Sequence, residues 1–200
     1  VLTGDHRYYS VFSPFKKRWL SVYQENNHLP YQTPNVTRPQ VATPQWASLC
    51  EAPESDLSAF ATDERQIQTD LRDFIDHRLT DYALNRNQPS MQGTSRLSAA
   101  LARGLLSPRQ CVRAAEEALC RPIWDFPAGA FSWINELIWR DFYQHLLIGF
   151  PRLSKNKAFR PETEALQWRN NSEEIEFWKS GQTGIPIVDA GMRELKQTGW

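Results

Sequence analysis

Ile67, Leu71, Phe74, Ile75, Leu79 and Tyr82 recur at helical spacing with polar residues between them. Ahead of them stands Thr62-Asp63-Glu64, a cap residue followed by two acids in a first turn, so the pattern predicts a helix over about 63–82. Ser107 followed by Pro108 gives an N-cap and a proline at the first helical position, and the apolar period then runs to about Leu119. Pro122 and Pro127 interrupt the chain before the longest pattern, Ala130 to Ile148. A last helix is expected from near Pro186 to about Lys196, and a short one from Pro14 to Tyr23. Nothing alternates with a period of two for long, so the class is mainly α, with at most a strand remnant before Phe12.

Between Ser13 and Pro53 prolines recur at positions 14, 30, 34, 39, 44 and 53 without a sustained apolar period. Such a stretch reads as a long connection over a surface, which divides the chain into a linker region, 1–60, and a helical region, 61–200. The chain opens on Val1 and stops at Trp200 directly after an amphipathic pattern, so it is expected to be cut from something longer.

Composition adds bounds. At 40% hydrophobic and 23% charged residues the chain falls in the ordinary globular range, and no apolar run approaches the length of a membrane span. Cys50, Cys111 and Cys120 form no CxxC and leave an odd thiol, which suggests neither a disulfide framework nor a zinc site and fits a reducing, cytoplasmic compartment. The 23 basic and 23 acidic residues cancel, but their order does not. Arg86, Arg96, Arg103, Arg109 and Arg113 fall between Asp81 and Glu116 with no acid among them, and Arg152, Lys155, Lys157 and Arg160 are likewise unopposed. These segments are either solvated helix faces or a track for phosphates.

Two constellations carry candidate chemistry. On a wheel of 100° per residue, Trp133, Glu136, Arg140 and Tyr143 share a stripe about 80° wide, bordered by Trp139, while Ile134, Ile138 and Phe142 form a second apolar face. Either Glu136 and Arg140 make an i, i+4 pair within a core, or two tryptophans with polar handles form a wall suited to a planar ligand or a base. The second constellation is Gly93-Thr-Ser-Arg-Leu-Ser98 leading into Ala99-Ala-Leu-Ala102, which is either an ordinary helix cap or an anion site at a helix start.

These segments resemble the DNA photolyase and cryptochrome family. Gln92-Gly-Thr-Ser-Arg-Leu-Ser98 is similar to its flavin-phosphate loop, Trp133-Ile-Asn-Glu-Leu-Ile-Trp-Arg140 to its dimer-pocket helix, and Thr183-Gly-Ile-Pro-Ile-Val-Asp-Ala-Gly-Met-Arg-Glu-Leu195 to its signature segment. The pattern is most similar to bacterial cyclobutane pyrimidine dimer photolyases, and the similarity runs from Leu2 to Trp200. The resemblance implies that 1–60 is the end of an antenna α/β domain with its interdomain linker. It makes 61–200 the N-terminal part of an FAD-binding helical domain.

By that resemblance Tyr82, Thr94, Ser95, Arg96, Leu97, Ser98 and Trp133 would hold FAD. Glu136 and Trp139 would be catalytic, the first bonding the damaged pyrimidine and the second packing against it. Arg86 and the run Glu136, Leu137, Ile138, Trp139, Arg140, Asp141, Phe142 and Tyr143 would meet DNA. Trp168 would be the outer end of a tryptophan chain that photoreduces the flavin, or else a core tryptophan under a loop. The implied reaction is light-dependent electron transfer from reduced FAD to a cyclobutane dimer in UV-damaged DNA, by a carbon-carbon lyase acting as a monomer. Leu153-Ser154-Lys155 aligns with a stretch near a folate antenna but lacks the cysteine found in relatives; methenyltetrahydrofolate remains the expected antenna. The rival readings are a cryptochrome-type photoreceptor and a non-catalytic helical nucleic-acid-binding module.

Overall fold

The computed structural model describes residues 1–26, 30 and 60–199. Every regular element among them is helical, in keeping with the mainly α expectation, and the strand remnant before Phe12 does not form. The chain divides into two compact units, Val1–Tyr31 with Ala61–Ala165, and Gln32–Phe60 with Leu166–Trp200. The expected proline-rich linker lies largely outside the described residues, as does Cys50.

In the first unit, α1 (Phe12–Glu25) extends the expected short helix by two residues at each end. α2 (Glu64–His77) is capped by Asp63, whose side chain accepts from the Arg65 N–H, so Thr62 is not the cap. The helix also ends five residues earlier than the spacing predicts. The N–H groups of Arg78 and Leu79 both return to the Phe74 carbonyl, and the Asp81 carbonyl then opens the four-residue α3 (Tyr82–Asn85). Leu79 and Tyr82 are buried on both sides of this break, so the apolar period survives a turn that the helix does not. Gly129 explains the tight turn: a Cβ there would collide with the Thr80 carbonyl.

α4 (Ser98–Arg103) is short and closes on Gly104 in the left-handed region. α5 (Pro108–Leu119) begins with the full capping box expected at Ser107, which accepts from the Gln110 N–H at 3.2 Å while the Gln110 side chain accepts from the Ser107 N–H at 2.8 Å. A 3-10 turn over Ile123–Asp125 occupies the predicted proline break. α6 (Ala128–Gly149) is the central element and packs against α1, α3, α5 and that turn. Its Trp133, Ile134, Leu137, Ile138, Phe142 and His145 point inward, against Phe15, Ile67, Leu71, Phe74, Leu79 and Leu106. Burying such side chains at about 25 cal/mol per Å² of apolar surface is the main stabilising term of this unit.

The described part of the second unit is a pair of packed helices, α7 (Ser172–Ser180) and α8 (Pro186–Thr198). α7 escapes the sequence pattern because it buries no residue. Asn171 caps it, accepting from the Glu173 and Glu174 N–H groups. Among the described residues no helix is long and apolar enough to cross a membrane. Cys111 and Cys120 are free, and burial pushes the Cys111 thiol up to about 12.

Candidate cofactor and DNA-facing site

The site grows out of the break after α2. Arg78, half-buried at the end of that helix, bonds the Asp73 carboxylate at 2.6 Å and donates to the Thr94 carbonyl at 3.2 Å, with its guanidinium over the Phe74 ring. Gly93 packs so closely on Asn85 that a Cβ would come within 2.5 Å of its backbone. Two anchors therefore fix the start of the loop 93–98, and buried Leu97 fixes its end. Thr94, Arg96 and Ser98 are exposed, and Arg96 has a left-handed φ of 54°. The N-cap position of α4, Leu97, makes no side-chain cap bond.

α6 meets this loop where the Trp133 indole N–H donates to the Ser95 hydroxyl at 3.4 Å. The Trp133 ring is buried and packs on Phe74 at 5.1 Å, which in turn meets Tyr82 edge-on at 6.0 Å. Burial raises the Tyr82 phenol above its ordinary value. Arg86 lies over the Tyr82 ring and forms a charge-assisted bond with Glu136. That bond holds Arg86 protonated above its ordinary range.

The pairing of Glu136 corrects the core alternative considered from sequence. Glu136 engages Arg86 rather than Arg140, whose guanidinium donates to the Leu101 carbonyl at 3.3 Å and lies 3.8 Å from the Asp141 carboxylate. The expected stripe is the outward arc of α6: Glu136 and Arg140 are half-exposed and Tyr143 is exposed, while Trp133 is tucked behind the loop. The run 136–143 does not present one surface. Leu137, Ile138 and Phe142 are buried in the core, and Asp141 accepts from the Trp19 indole N–H at 3.0 Å. Trp139 is partly buried, with its ring stacked on Phe12 at 3.5 Å.

Trp168, in the second unit, is 76% exposed among the described residues. In the same unit the signature segment acquires a structural explanation that the sequence did not reveal. The Asp189 carboxylate accepts from the Thr183 hydroxyl and N–H at 2.6 and 2.7 Å and from the Gly184 N–H at 3.0 Å, tying the turn before α8 to the helix. These bonds hold its carboxyl below the usual range. Leu153–Lys155 forms a 3-10 turn, with the Ser154 hydroxyl turned back to the Pro151 carbonyl.

Comparison with known proteins agrees with this geometry. A family model, the FAD binding domain of DNA photolyase, matches residues 133–200. The chain is 39% identical over its whole length to a deoxyribodipyrimidine photo-lyase of Escherichia coli and 40% identical to that of Salmonella typhimurium, spanning 42% of each relative. Among solved structures, a bacterial class III photolyase from Agrobacterium tumefaciens matches all of the chain with a TM-score of 0.83 at 31% identity, of which the chain covers 42%. A Synechocystis cryptochrome matches 84% of the chain with a TM-score of 0.63 at 31% identity, and the chain covers 35% of it. The chain belongs to the DNA photolyase and cryptochrome family, and its helices belong to the FAD-binding part of that fold.

Proposed function

We propose that this chain supplies part of the flavin and damaged-base site of a light-dependent DNA repair enzyme acting on cyclobutane pyrimidine dimers. The observation that carries the proposal is the Trp133 to Ser95 bond, which joins the hydroxyl-rich loop to the helix bearing Glu136 and Trp139. The donor set suits the cofactor. Thr94, Ser95 and Ser98 offer hydroxyls and Arg96 a guanidinium on a loop pinned at both ends, which matches the acceptor oxygens of a pyrophosphate. Tyr82, Leu97 and Trp133 would back this loop with apolar surface. When bound, reduced FAD would supply the photoexcited electron that opens the cyclobutane ring.

The chain's own residues orient and stabilise. Glu136 stands half-exposed beside Arg86, where its carboxyl meets an extruded pyrimidine and offers a hydrogen bond as charge builds there. Trp139 offers an aromatic surface to the same base, with Tyr143 beside it. Arg86 is the phosphate contact nearest the pocket. Of the other residues expected at DNA, the half-exposed Arg140 and Asp141 serve at its edge, and Leu137, Ile138 and Phe142 contribute as the buried backing of the helix. Trp168 is the solvent end of the electron route to the flavin. A methenyltetrahydrofolate antenna, a monomeric state and a cytoplasmic location belong to the same proposal and rest on the resemblance.

The presence of both Glu136 and Trp139 on α6 favours repair over signalling, since a carboxyl and an aromatic ring together suit a base. The test is repair of a dimer-containing oligonucleotide under blue light by the full protein. Light-dependent return of the dimer to two pyrimidines, with flavin bound, is the expected result. A flavoprotein that leaves the dimer intact would be a photoreceptor instead, and a protein that binds DNA without flavin a non-catalytic module.

A further inference from the structure

We propose that Phe12 is a positioning residue for the damaged-base pocket, holding the Trp139 indole as a fixed platform. The inference rests on the reading of Trp139 as the aromatic that receives the base. The Phe12 and Trp139 rings lie 3.5 Å apart with an interplanar angle of 7°, a full face-to-face stack in a fold whose other aromatic contacts to Trp139 are looser or edge-on. Phe12 also meets Phe142 edge-on at 5.6 Å. On α6, Phe142 and Glu136 lie on opposite sides of Trp139, three residues to either side. Phe12 thus covers one face of the indole and braces it against Phe142, while Tyr143 lies 5.6 Å from the indole at 25°.

Phe12 is itself held in place from both directions. Before it, the Tyr9 N–H donates to His145 Nε2 at 2.8 Å and the Tyr8 ring packs against His145 at 4.9 Å. After it, Phe15 is buried against Phe142 and His145, and the Trp19 indole donates to Asp141. The segment is thus fastened to α6 both before and after Phe12, so the orientation of Phe12 is set by backbone and core contacts. A Trp on a half-exposed helix face has rotamers to lose on binding, and a pre-stacked one has already lost them. That is a physical reason for placing an aromatic ring behind the platform.

The test compares the full protein, with flavin bound and in the dark, on a short duplex carrying one thymine cyclobutane dimer and on the same duplex undamaged. Phe12→Leu and Phe12→Met keep apolar volume but lose the flat face; Phe12→Tyr keeps it. The first two are expected to lower the ratio of damaged to undamaged affinity about two- to tenfold, the range of one aromatic pair, while Phe12→Tyr restores it. Affinity for undamaged DNA and flavin content should not move. Trp139→Ala separates the two ideas. If it lowers the ratio and the Phe12 variants do not, the positioning role is overturned and the pocket stands; if Trp139→Ala leaves the ratio unchanged, the pocket assignment itself falls. Loss of flavin, or an equal loss of both affinities in the Phe12 variants, would make Phe12 a packing residue only. The Leu and Met variants are read in parallel, so a folding failure of one leaves the ratio measurable in the other.

Discussion

Replacing Glu136 by alanine separates a chemical role from a structural one because the structure bounds what its ion pair contributes to folding. The Glu136 and Arg86 side chains retain 38% and 31% of their exposure, so their pair belongs with solvent-accessible bridges worth about 0.2–1 kcal/mol. A chain of this size should then lose no more than about 2–4 °C in Tm. A fully buried pair broken on one side would cost about 3–5 kcal/mol instead. The repair yield per absorbed photon, by contrast, should fall several-fold in Glu136→Ala, since the lost hydrogen bond is one that strengthens as charge develops on the pyrimidine. Flavin absorbance should stay near normal, because Glu136 touches neither the loop 93–98 nor Trp133's bond to Ser95. Arg86→Ala should mainly weaken DNA binding and reduce its salt dependence by about one phosphate contact. The two substitutions should not be additive, since each removes the other's partner. The reasoning is refuted if Glu136→Ala repairs with unchanged yield but sheds flavin or loses several kcal/mol of stability.

Three further outcomes follow from the same contacts. Trp168→Phe removes an exposed ring and should change stability by less than about 0.5 kcal/mol, yet it should strongly slow photoreduction of oxidised flavin and spare repair by enzyme already reduced; equal loss in both assays would count against the electron route. Phe74→Ala should cost about 3–5 kcal/mol, measured by denaturant unfolding, and release flavin, because this fully buried ring backs Tyr82, Arg78 and Trp133 at once. Burial holds His145 below its ordinary value, and its Nε2 accepts from Tyr9, so the neutral ring is the folded form. Above about pH 6.5 both states are neutral; below it the unfolded chain takes the proton first, so this contribution is lost as pH falls through the folded value. His145→Gln should flatten the fall of Tm as the pH drops below about 6.5, and an unchanged slope would remove His145 as its cause.

The helices were legible where local chemistry and apolar period agree. At Ser107-Pro108 a cap, a proline and a core stripe coincide, and the predicted helix appears with its capping box in place. Along 63–82 the period alone misled, because Leu79 and Tyr82 continue the apolar spacing across a turn set by a close approach from Gly129, nearly fifty residues away. α7 escaped for the opposite reason: with no buried residue it has no stripe, only an asparagine cap and two acids to announce it.

The site divides in the same way. A wheel places Trp133, Glu136, Arg140 and Tyr143 on one arc, but it does not say which neighbour each one meets. Arg86 is fifty residues from Glu136 and Ser95 thirty-eight from Trp133, so those bonds exist only once α3 and the loop 93–98 have packed on α6. Arg140 shows the consequence. As a letter in the sequence it was a candidate partner for Glu136, and the fold turns it toward the Leu101 carbonyl of α4 rather than toward Glu136. Sequence spacing therefore picked out the helix on which the candidate site is proposed, while the partner of each charge along it is set by the packing of other segments. For the same reason Phe12, whose side chain carries no polar atom and which lies beyond any periodic relation to α6, is linked to Trp139 only by the contact between the two rings.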